Sequence, residues 1–559
     1  MIEGISQRLL DQTRPLRIHL LGVAGSGMSG LAALLLEMGH KVSGSDRVTS
    51  GEIERLQGLG LMFSSPHSKE AVSGVDAVVY SSAIKSDNVA LAEARRTEVL
   101  CLRRAECLAA ILHTRKGVLV AGTHGKTTTS AMCAHVLNNA GSRVSHYVGA
   151  EIPVLGANAH WDEDSEYLVA EGDESDGTLG LYRPTYAVVL NIEEEHLDYY
   201  KELQQIVGIF RTLLEQTSGR VIYCREDSTA KELCSQYEGG LSYGWSDADY
   251  TAADVTEGRG VVAFTVFRRD EELGRVELGI PGRHNVLNAL AAIALADDLK
   301  VDFSCVTRAL SSFAGAKRRF ESVYLSPRFH VIDDYGHHPT EIRATLQTAR
   351  SLEPKRIVAL FQPHRYSRTE RFAADFGQAL QGADLVFVTG IYAASEDPIE
   401  GISGMTILDA VEQHGSTKCI YHEDLSTIHH MVGNALKSGD LLLTLGAGNV
   451  HEVGKRISED LQLVDPLKAE FTDSDLEIKL YESMRRHTTM LVGGPAQFWI
   501  EPRTFSAFAG AVKFFKERGV PVRVVGRGSN LLVRDGGIRG AVIQPSKGEF
   551  GELTVKGNL

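Results

Sequence analysis

Gly122-Thr123-His124-Gly125-Lys126-Thr127-Thr128-Thr129 follows the apolar run Val118-Leu119-Val120-Ala121 and precedes a helix-compatible segment. A turn of this composition between strand and helix reads as a phosphate loop. Its glycines let backbone N–H groups close on phosphate oxygens, Lys126 supplies a cation and Thr127 offers a hydroxyl to Mg2+. The positive end of the following helix dipole adds to the attraction for phosphate. Val120 stands where the general pattern G-x-x-x-x-G-K-[ST] has its first glycine, so the loop is a variant of that pattern. The expectations are an ATP-type ligand on Gly122, Thr123, His124, Gly125, Lys126, Thr127 and Thr128, and an α/β fold with a mainly parallel sheet.

Upstream, Arg17 to Leu21 leads into Gly22-Val23-Ala24-Gly25-Ser26-Gly27-Met28-Ser29-Gly30 and a helical run that ends at Gly39. Strands are expected at Lys41 to Gly44, ending at Ser45-Asp46, and at Val75 to Tyr80, before Ser81-Ser82. These are pieces of a Rossmann-like sheet, whose ligands sit beyond the carboxyl ends of its strands. Gly25, Gly27 and Gly30 match G-x-G-x-x-G only loosely, and an NAD-type domain is the alternative reading of this segment.

Downstream of the loop, strands are expected at Tyr167 to Ala170 and Tyr186 to Asn191, and then at Arg356 to Leu360, Leu385 to Thr389 and Leu441 to Leu445. The alternation predicts domains at residues 14–108, 109–322 and 323–463. Residues 464–480 carry five acidic residues and Pro466 and are expected to be a linker. Residues 481–559 differ in composition and are dense in glycine.

A length of 559 residues, with 43% hydrophobic and 23% charged residues, describes an ordered chain of about three to four domains. The net charge of −14 speaks against a nucleic-acid surface and against anionic membranes, so anionic ligands must be held by local cations and backbone donors. Cys101, Cys107, Cys133, Cys224, Cys234, Cys305 and Cys419 are scattered without a Cys-x-x-Cys pair, as expected of reduced packing residues in the cytosol. The apolar stretch Leu31 to Leu36 is too short to span a bilayer, and a cytoplasmic location is expected.

Two acidic runs fall at expected strand ends: Glu171-Gly172-Asp173-Glu174-Ser175-Asp176 and Asn191-Ile192-Glu193-Glu194-Glu195-His196-Leu197-Asp198. Mg2+ is a hard cation held by one or two carboxylates, phosphate oxygens and water, which makes Glu171, directly ending an apolar strand, a candidate metal ligand. His196 is a second candidate. Asp173 and Glu174 read as a solvated loop.

The phosphate loop, Glu-Gly-Asp-Glu-Ser-Asp and Asn-Ile-Glu-x-x-His-Leu-Asp together resemble the Mur ligases. Further matches are Gly282 to Ala289, Lys317 to Glu321, Asp333 to Pro339 and Gln362 to Thr369. The resemblance implies a three-domain Mur ligase fold: a Rossmann-like domain for a UDP-sugar, a P-loop ATPase-like central domain and a Rossmann-like C-terminal domain. It implies ATP and Mg2+ as cofactors, with Lys126 and Thr127 serving the phosphates and metal, and Glu171 and His196 as further metal ligands. His284, Asn285, Asn288, Arg319 and Asp334 would serve the nucleotide. Gly25, Ser26, Gly27, Asp46 and Ser82 would hold the UDP part. Tyr335, His337, His364, Arg365 and Arg368 would form the amino-acid side, with His337 or His364 as general base.

Other branches of the family commonly carry a carbamylated lysine fourteen positions after the metal histidine, where this chain has Phe210. Together with His124, this resembles the branch that adds L-alanine to UDP-N-acetylmuramate, making a peptidoglycan precursor through an acyl phosphate after domain closure. The rival readings are a recycling ligase that attaches a peptide and a non-catalytic UDP-sugar or flavin-binding module. Ala24 departs from the glycine usual in the family's turn.

The tail resembles the FAD-binding start of UDP-N-acetylenolpyruvoylglucosamine reductase in Arg486 to Ala496 and Gly526 to Gly537. That resemblance implies a truncated α+β FAD-binding domain, with Gly526, Gly528, Ser529 and Asn530 facing the FAD pyrophosphate. The family's catalytic serine, arginine and glutamate would lie beyond Leu559, so no reductase activity and poor flavin binding are expected.

Overall fold

Apolar runs that alternate with helices become parallel strands covered on both faces. The computed structural model describes residues 2–552 except 12, 50, 196–198, 259, 395 and 546–547. It comprises two units, Met1–Arg319 and Phe320–Leu559.

The first unit opens with β1 (Arg17–Leu21), β2 (Lys41–Ser45), β3 (Met62–Ser64), β4 (Ala77–Tyr80) and β5 (Leu100–Arg103), a parallel sheet in the order β3-β2-β1-β4-β5. The order reverses between β1 and β4, so the glycine turn after β1 and Ser81-Ser82 after β4 flank the crevice where such sheets bind ligands. The helix Ser26–Glu37 starts at its Gly25 N-cap and buries Met28 through Leu35.

A second sheet holds β6 (Lys116–Ala121), β7 (Val144–Tyr147), β8 (Ala159–His160), β9 (Tyr167–Glu171), β10 (Tyr186–Val189), β11 (Arg220–Cys224), β12 (Leu241–Gly244), β13 (Tyr250–Gly258), β14 (Val261–Arg268) and β15 (Glu271–Leu278). Its order is β15-β14-β13-β12-β11-β10-β6-β9-β7-β8. The strand that carries the phosphate loop, β6, therefore lies between β10 and β9, whose carboxyl ends carry the two acidic runs.

His19 on β1 is buried, with Nδ1 2.8 Å from Ser43 Oγ and Nε2 3.0 Å from Ser45 Oγ. Burial, helped by His67, pushes its pKa down to about 4. The unfolded imidazole takes up a proton near pH 6.5 and the folded one does not, so this contribution to stability is complete above 6.5 and is lost as pH falls toward 4. His19→Gln should remove that loss. The gap in melting temperature between the parent and His19→Gln is expected to shrink between pH 7 and pH 4, and a pH-independent gap would contradict the assignment.

The second unit contains β16 (Glu321–Leu325), β17 (Phe329–Asp334), β18 (Arg356–Phe361), β19 (Leu385–Val388), β20 (Lys418–Tyr421) and β21 (Asp440–Leu445), in the order β16-β17-β21-β18-β19-β20. Only β16 is antiparallel to its neighbour. The tail adds β22 (Leu476–Ser483), β23 (Pro495–Pro502), β24 (Val522–Val524) and β25 (Ile538–Ile543), in the order β22-β23-β25-β24 with the helix Phe505–Glu517.

The expected linker at 464–480 is corrected. The helix His451–Glu470 runs through Pro466, and β22 begins at Leu476. One of its acidic residues is an internal partner: Asp465 accepts from Tyr324 at 2.6 Å and from Arg328 at 3.2 Å. Leu461, Val464 and Leu467 are buried in one core with Val358 and Leu442 of the β16–β21 sheet and Leu480, Phe498, Phe515 and Ile543 of the tail. The tail is thus joined to its neighbour by shared packing. All seven cysteines are free thiols, and no helix among the described residues is long and apolar enough to cross a membrane.

Candidate functional site

The phosphate loop is shaped by two glycines with positive φ, Gly122 at +151° and Gly125 at +85°. A Cβ at Gly122 would stand 2.9 Å from Leu190 Cβ, and one at Gly125 2.9 Å from Asn288 Oδ1, so neither position has room for a side chain. Lys126 Nζ donates to the carbonyls of Gly122 at 2.5 Å and Thr123 at 3.0 Å, and to Glu174 Oε1 at 3.0 Å. The ammonium thus closes the loop on itself. Burial would lower the Lys126 pKa, but Glu174, Glu171 and Asp173 outweigh it and raise it.

Thr127 Oγ1 donates to Glu171 Oε2 at 2.9 Å, and the same oxygen accepts from the Gly149 N–H at 2.8 Å. A hydroxyl and a carboxylate held together at the loop are the oxygen donors that suit Mg2+. The other acidic run is laced to the loop by its backbone: His124 N–H donates to Asn191 Oδ1 at 2.7 Å and Glu193 N–H to Thr123 Oγ1 at 2.9 Å. His196 lies outside the described residues. Thr128 is buried in the first turn of the helix Lys126–Asn139. Asn288 Nδ2 donates to Asn285 Oδ1 at 3.1 Å, while His284 is exposed on the same helix and Arg319 is half-buried at the end of the unit.

Asp173 and Glu174 are the main correction to the sequence reading. Both are paired inside the protein: Glu174 is 1% exposed and grips Lys126, and Asp173, half-buried, accepts at Oδ2 from Arg104 Nη2 at 2.6 Å. Burial alone would raise the Asp173 pKa, but Arg104, Lys126 and Ser175 hold it well below the usual carboxylate range. Consecutive residues of one loop therefore take different partners, Asp173 the first residue of the helix Arg104–Leu112 and Glu174 the lysine of the phosphate loop.

At the glycine turn, Gly25 and Ser26 are exposed. Asp46 Oδ2 accepts from the Ala24 N–H at 2.9 Å, so its carboxylate organises the turn from beneath. Ala24 is not among the residues with positive φ, and alanine fits there without strain. Ser82 is exposed in the turn after β4.

In the second unit, the carboxyl ends of β17 and β18 bring together Tyr335, His337, His364 and Arg368. His337 and His364 ring centroids are 5.3 Å apart, and Tyr335 and His337 also 5.3 Å. Arg368 Nη1 is 2.8 Å from His364 Nδ1; guanidinium only donates, so Nδ1 of His364 is the acceptor. His337 Nδ1 faces the Tyr335 carbonyl at 3.1 Å and Glu341 at 3.4 Å, both acceptors, so this nitrogen carries the proton and Nε2 the lone pair of the neutral ring. Arg365, at φ +69°, lies 3.7 Å from Glu396. Asp334 is buried, and its carboxylate accepts from Phe320 N–H at 2.8 Å, Gly336 N–H at 2.8 Å and Thr345 Oγ1 at 3.1 Å, which shapes the loop. His338 caps the helix Pro339–Ser351.

Sequence reasoning missed Arg104, Tyr147, Tyr392 and Glu396. Tyr392 stacks on His364 with centroids 5.6 Å apart, and Glu396 also accepts from Ser367 Oγ at 2.7 Å. No motif spacing links Arg104 with Tyr147 in the first unit or Tyr392 with Glu396 in the second, and within each unit only the tertiary structure sets them beside their partners.

In the tail, the two expected glycine turns stand side by side. Gly528, at φ +68°, packs on the His487 carbonyl, and Gly494 N–H donates to the Arg534 carbonyl at 3.0 Å. Gly526, Ser529 and Asn530 are exposed.

Three family models match the chain: the Mur ligase family catalytic domain over residues 17–116, the Mur ligase middle domain over 120–296 and the Mur ligase glutamate ligase domain over 318–448. They end before the tail. A UDP-N-acetylmuramate–L-alanine ligase of Desulforamulus reducens is 41% identical over 81% of this chain and 99% of its own length. One of Anaeromyxobacter dehalogenans is 42% identical over 80% and 98%. Among solved structures, a UDP-N-acetylmuramate–alanine ligase of Thermotoga maritima aligns with TM-score 0.70 at 31% identity, covering 80% of this chain and 99% of that one. A murein peptide ligase of Psychrobacter arcticus aligns with TM-score 0.60 at 25% identity over 79% and 98%.

Proposed function

The chain belongs to the Mur ligase family, and we propose that it joins L-alanine to UDP-N-acetylmuramate at the expense of ATP, as an enzyme of peptidoglycan precursor synthesis. The observation that carries the reading is the Lys126–Glu174 and Thr127–Glu171 arrangement at the phosphate loop, within a chain that spans nearly the whole of its alanine-ligase relatives. The murein peptide ligase likeness is weaker in both identity and TM-score.

A carboxylate becomes an acylating agent only when one of its oxygens becomes a good leaving group. In the proposed reaction, the muramyl carboxylate oxygen attacks the γ-phosphorus of ATP and ADP leaves, giving an acyl phosphate. The alanine amine then adds to the acyl carbon and inorganic phosphate departs. Lys126 binds and orients the phosphates, and the loop N–H groups add fixed donors. Mg2+, held by Thr127 and Glu171, would neutralise phosphate charge. Of the two base candidates, His337 has its lone pair on Nε2 and is the residue assigned to take the ammonium proton. His364, with Nδ1 turned to Arg368, orients the group. Arg365 and Arg368 supply the guanidinium pair for a carboxylate.

A phosphate-release assay with UDP-N-acetylmuramate, offering L-alanine, glycine, L-serine and a tripeptide in parallel, tests this reading. The expected result is release strongest with L-alanine. Release with the tripeptide alone would replace it with the peptide-attaching reading, and no release with any would leave a binding module. For the tail we propose poor flavin binding, which a stoichiometric flavin spectrum in the purified chain would overturn.

A further inference from the structure

The carbonyls of the glycine turn are held by the next domain. Tyr147 Oη, at the end of β7, donates to the Gly27 carbonyl at 2.8 Å, and Asn158 Nδ2 donates to the Ser26 carbonyl at 2.9 Å. Tyr147 is 2% exposed, and its Oη also accepts from Arg104 Nη1 at 3.2 Å. The other end of that guanidinium holds Asp173, whose neighbour Glu174 holds Lys126. A second branch leaves the same strand end: Gly149, two residues after Tyr147, donates to the carboxylate of Glu171, which accepts from Thr127. Two chains of partly buried polar contacts thus run from the turn to the phosphate loop.

We infer that Arg104 and Tyr147 are positioning residues that couple the Gly25–Gly27 turn to the phosphate loop, so that a nucleotide-sugar bound at the turn tightens ATP binding at Lys126. The inference rests on the reading of the turn as the UDP-sugar site. Its physical content is ordering. A diphosphate seated over the exposed Gly25 and Ser26 fixes the turn, and the turn fixes Tyr147 and Arg104. Arg104 then holds Asp173, which keeps Glu174 and Lys126 in place. The second ligand meets a loop already ordered and loses less conformational entropy on binding. The effect must be reciprocal, because it is a free energy of coupling between two sites.

The test is calorimetric titration of a non-hydrolysable ATP analogue with Mg2+ into the full chain, with and without saturating UDP-N-acetylmuramate. In the parent, affinity for the analogue should rise roughly five-fold or more when the UDP-sugar is bound. Tyr147→Phe keeps the ring and removes both hydroxyl contacts; Arg104→Lys keeps the charge and removes the fork. In each, the ratio should fall to about two-fold or less, while affinity for either ligand alone stays within about three-fold. Circular dichroism checks that each variant is folded, and Tyr147→Phe suffices if Arg104→Lys is not. A ratio near one in the parent, or a full ratio in folded Tyr147→Phe, overturns the inference. Failure of UDP-N-acetylmuramate to bind the parent at all would remove the functional reading, and the coupling with it.

Discussion

Lys126→Ala is expected to cut ADP release by roughly 10²–10³-fold or more, while UDP-N-acetylmuramate still binds. The ammonium is the cation at the phosphate loop, and it ties together two loop carbonyls and Glu174. Its loss removes charge stabilisation that matters most when the γ-phosphoryl group is in flight. It also strands the Glu174 carboxylate, which is 1% exposed. Breaking a buried pair from one side typically costs about 3–5 kcal/mol, so the variant should also melt earlier. The double variant Lys126→Ala with Glu174→Gln separates the two effects, because the amide removes the stranded charge. Thermal stability should return and turnover should not. Turnover restored in the double variant would mean that Lys126 acts by holding the loop together and has no role toward phosphate.

Phe498→Ala is expected to destabilise the second unit as a whole. Phe498 on β23 is fully buried in a core that includes Val358 and Leu442 of the ligase-like sheet, the helix residues Leu461 and Leu467, and Phe515 of the tail, with which it stacks at 5.7 Å. Truncating a buried phenylalanine costs about 3–5 kcal/mol. For a unit of this size that corresponds to a fall in melting temperature of roughly ten degrees. Trp499 is buried next to it and stacks on His487, so its fluorescence reports the tail once Trp161 and Trp245 are replaced by phenylalanine. Hydrogen exchange at β18 and β21 reports the ligase-like sheet. Both should weaken together, because one core serves both. Faster exchange confined to β22–β25 would show that the tail opens as a separate unit. The interface carries further marks of close fit: a Cβ at Gly433 would stand 2.5 Å from the Tyr481 ring, and Asn434 Nδ2 donates to the Leu480 carbonyl at 3.1 Å.

Local chemistry was readable residue by residue where it depends on neighbours in the chain. Gly122 and Gly125 announce a turn that only glycine can make, and both have positive φ. Glu171 ends an apolar strand, and its carboxylate meets Thr127. Asp173 and Glu174 were not readable, because a run of acids looks the same whether it meets water or two partly buried cations. Arg104 is distant in the chain from the Asp173 it pairs with, and its place follows from how β5 and β9 are set in their sheets. The stretch around Pro466 misled for a related reason. Proline removes one helical hydrogen bond, but the helix continues because Leu461, Val464 and Leu467 are buried on one side and Asp465 is paired on the other.

By itself the sequence determined the α/β class, the phosphate loop, a subset of the strands that includes β6, β9 and β10, and the glycine positions, since these follow from backbone freedom and apolar periodicity within short windows. The tertiary structure alone decided which strands are neighbours, and with them the pairing of Lys126 with Glu174, of Arg104 with Asp173, and of His364 with Arg368. It also decided that the tail shares a core with the sheet before it. The physical reason is that burial and charge pairing depend on what a side chain meets across space, and that partner is supplied by strand order and packing.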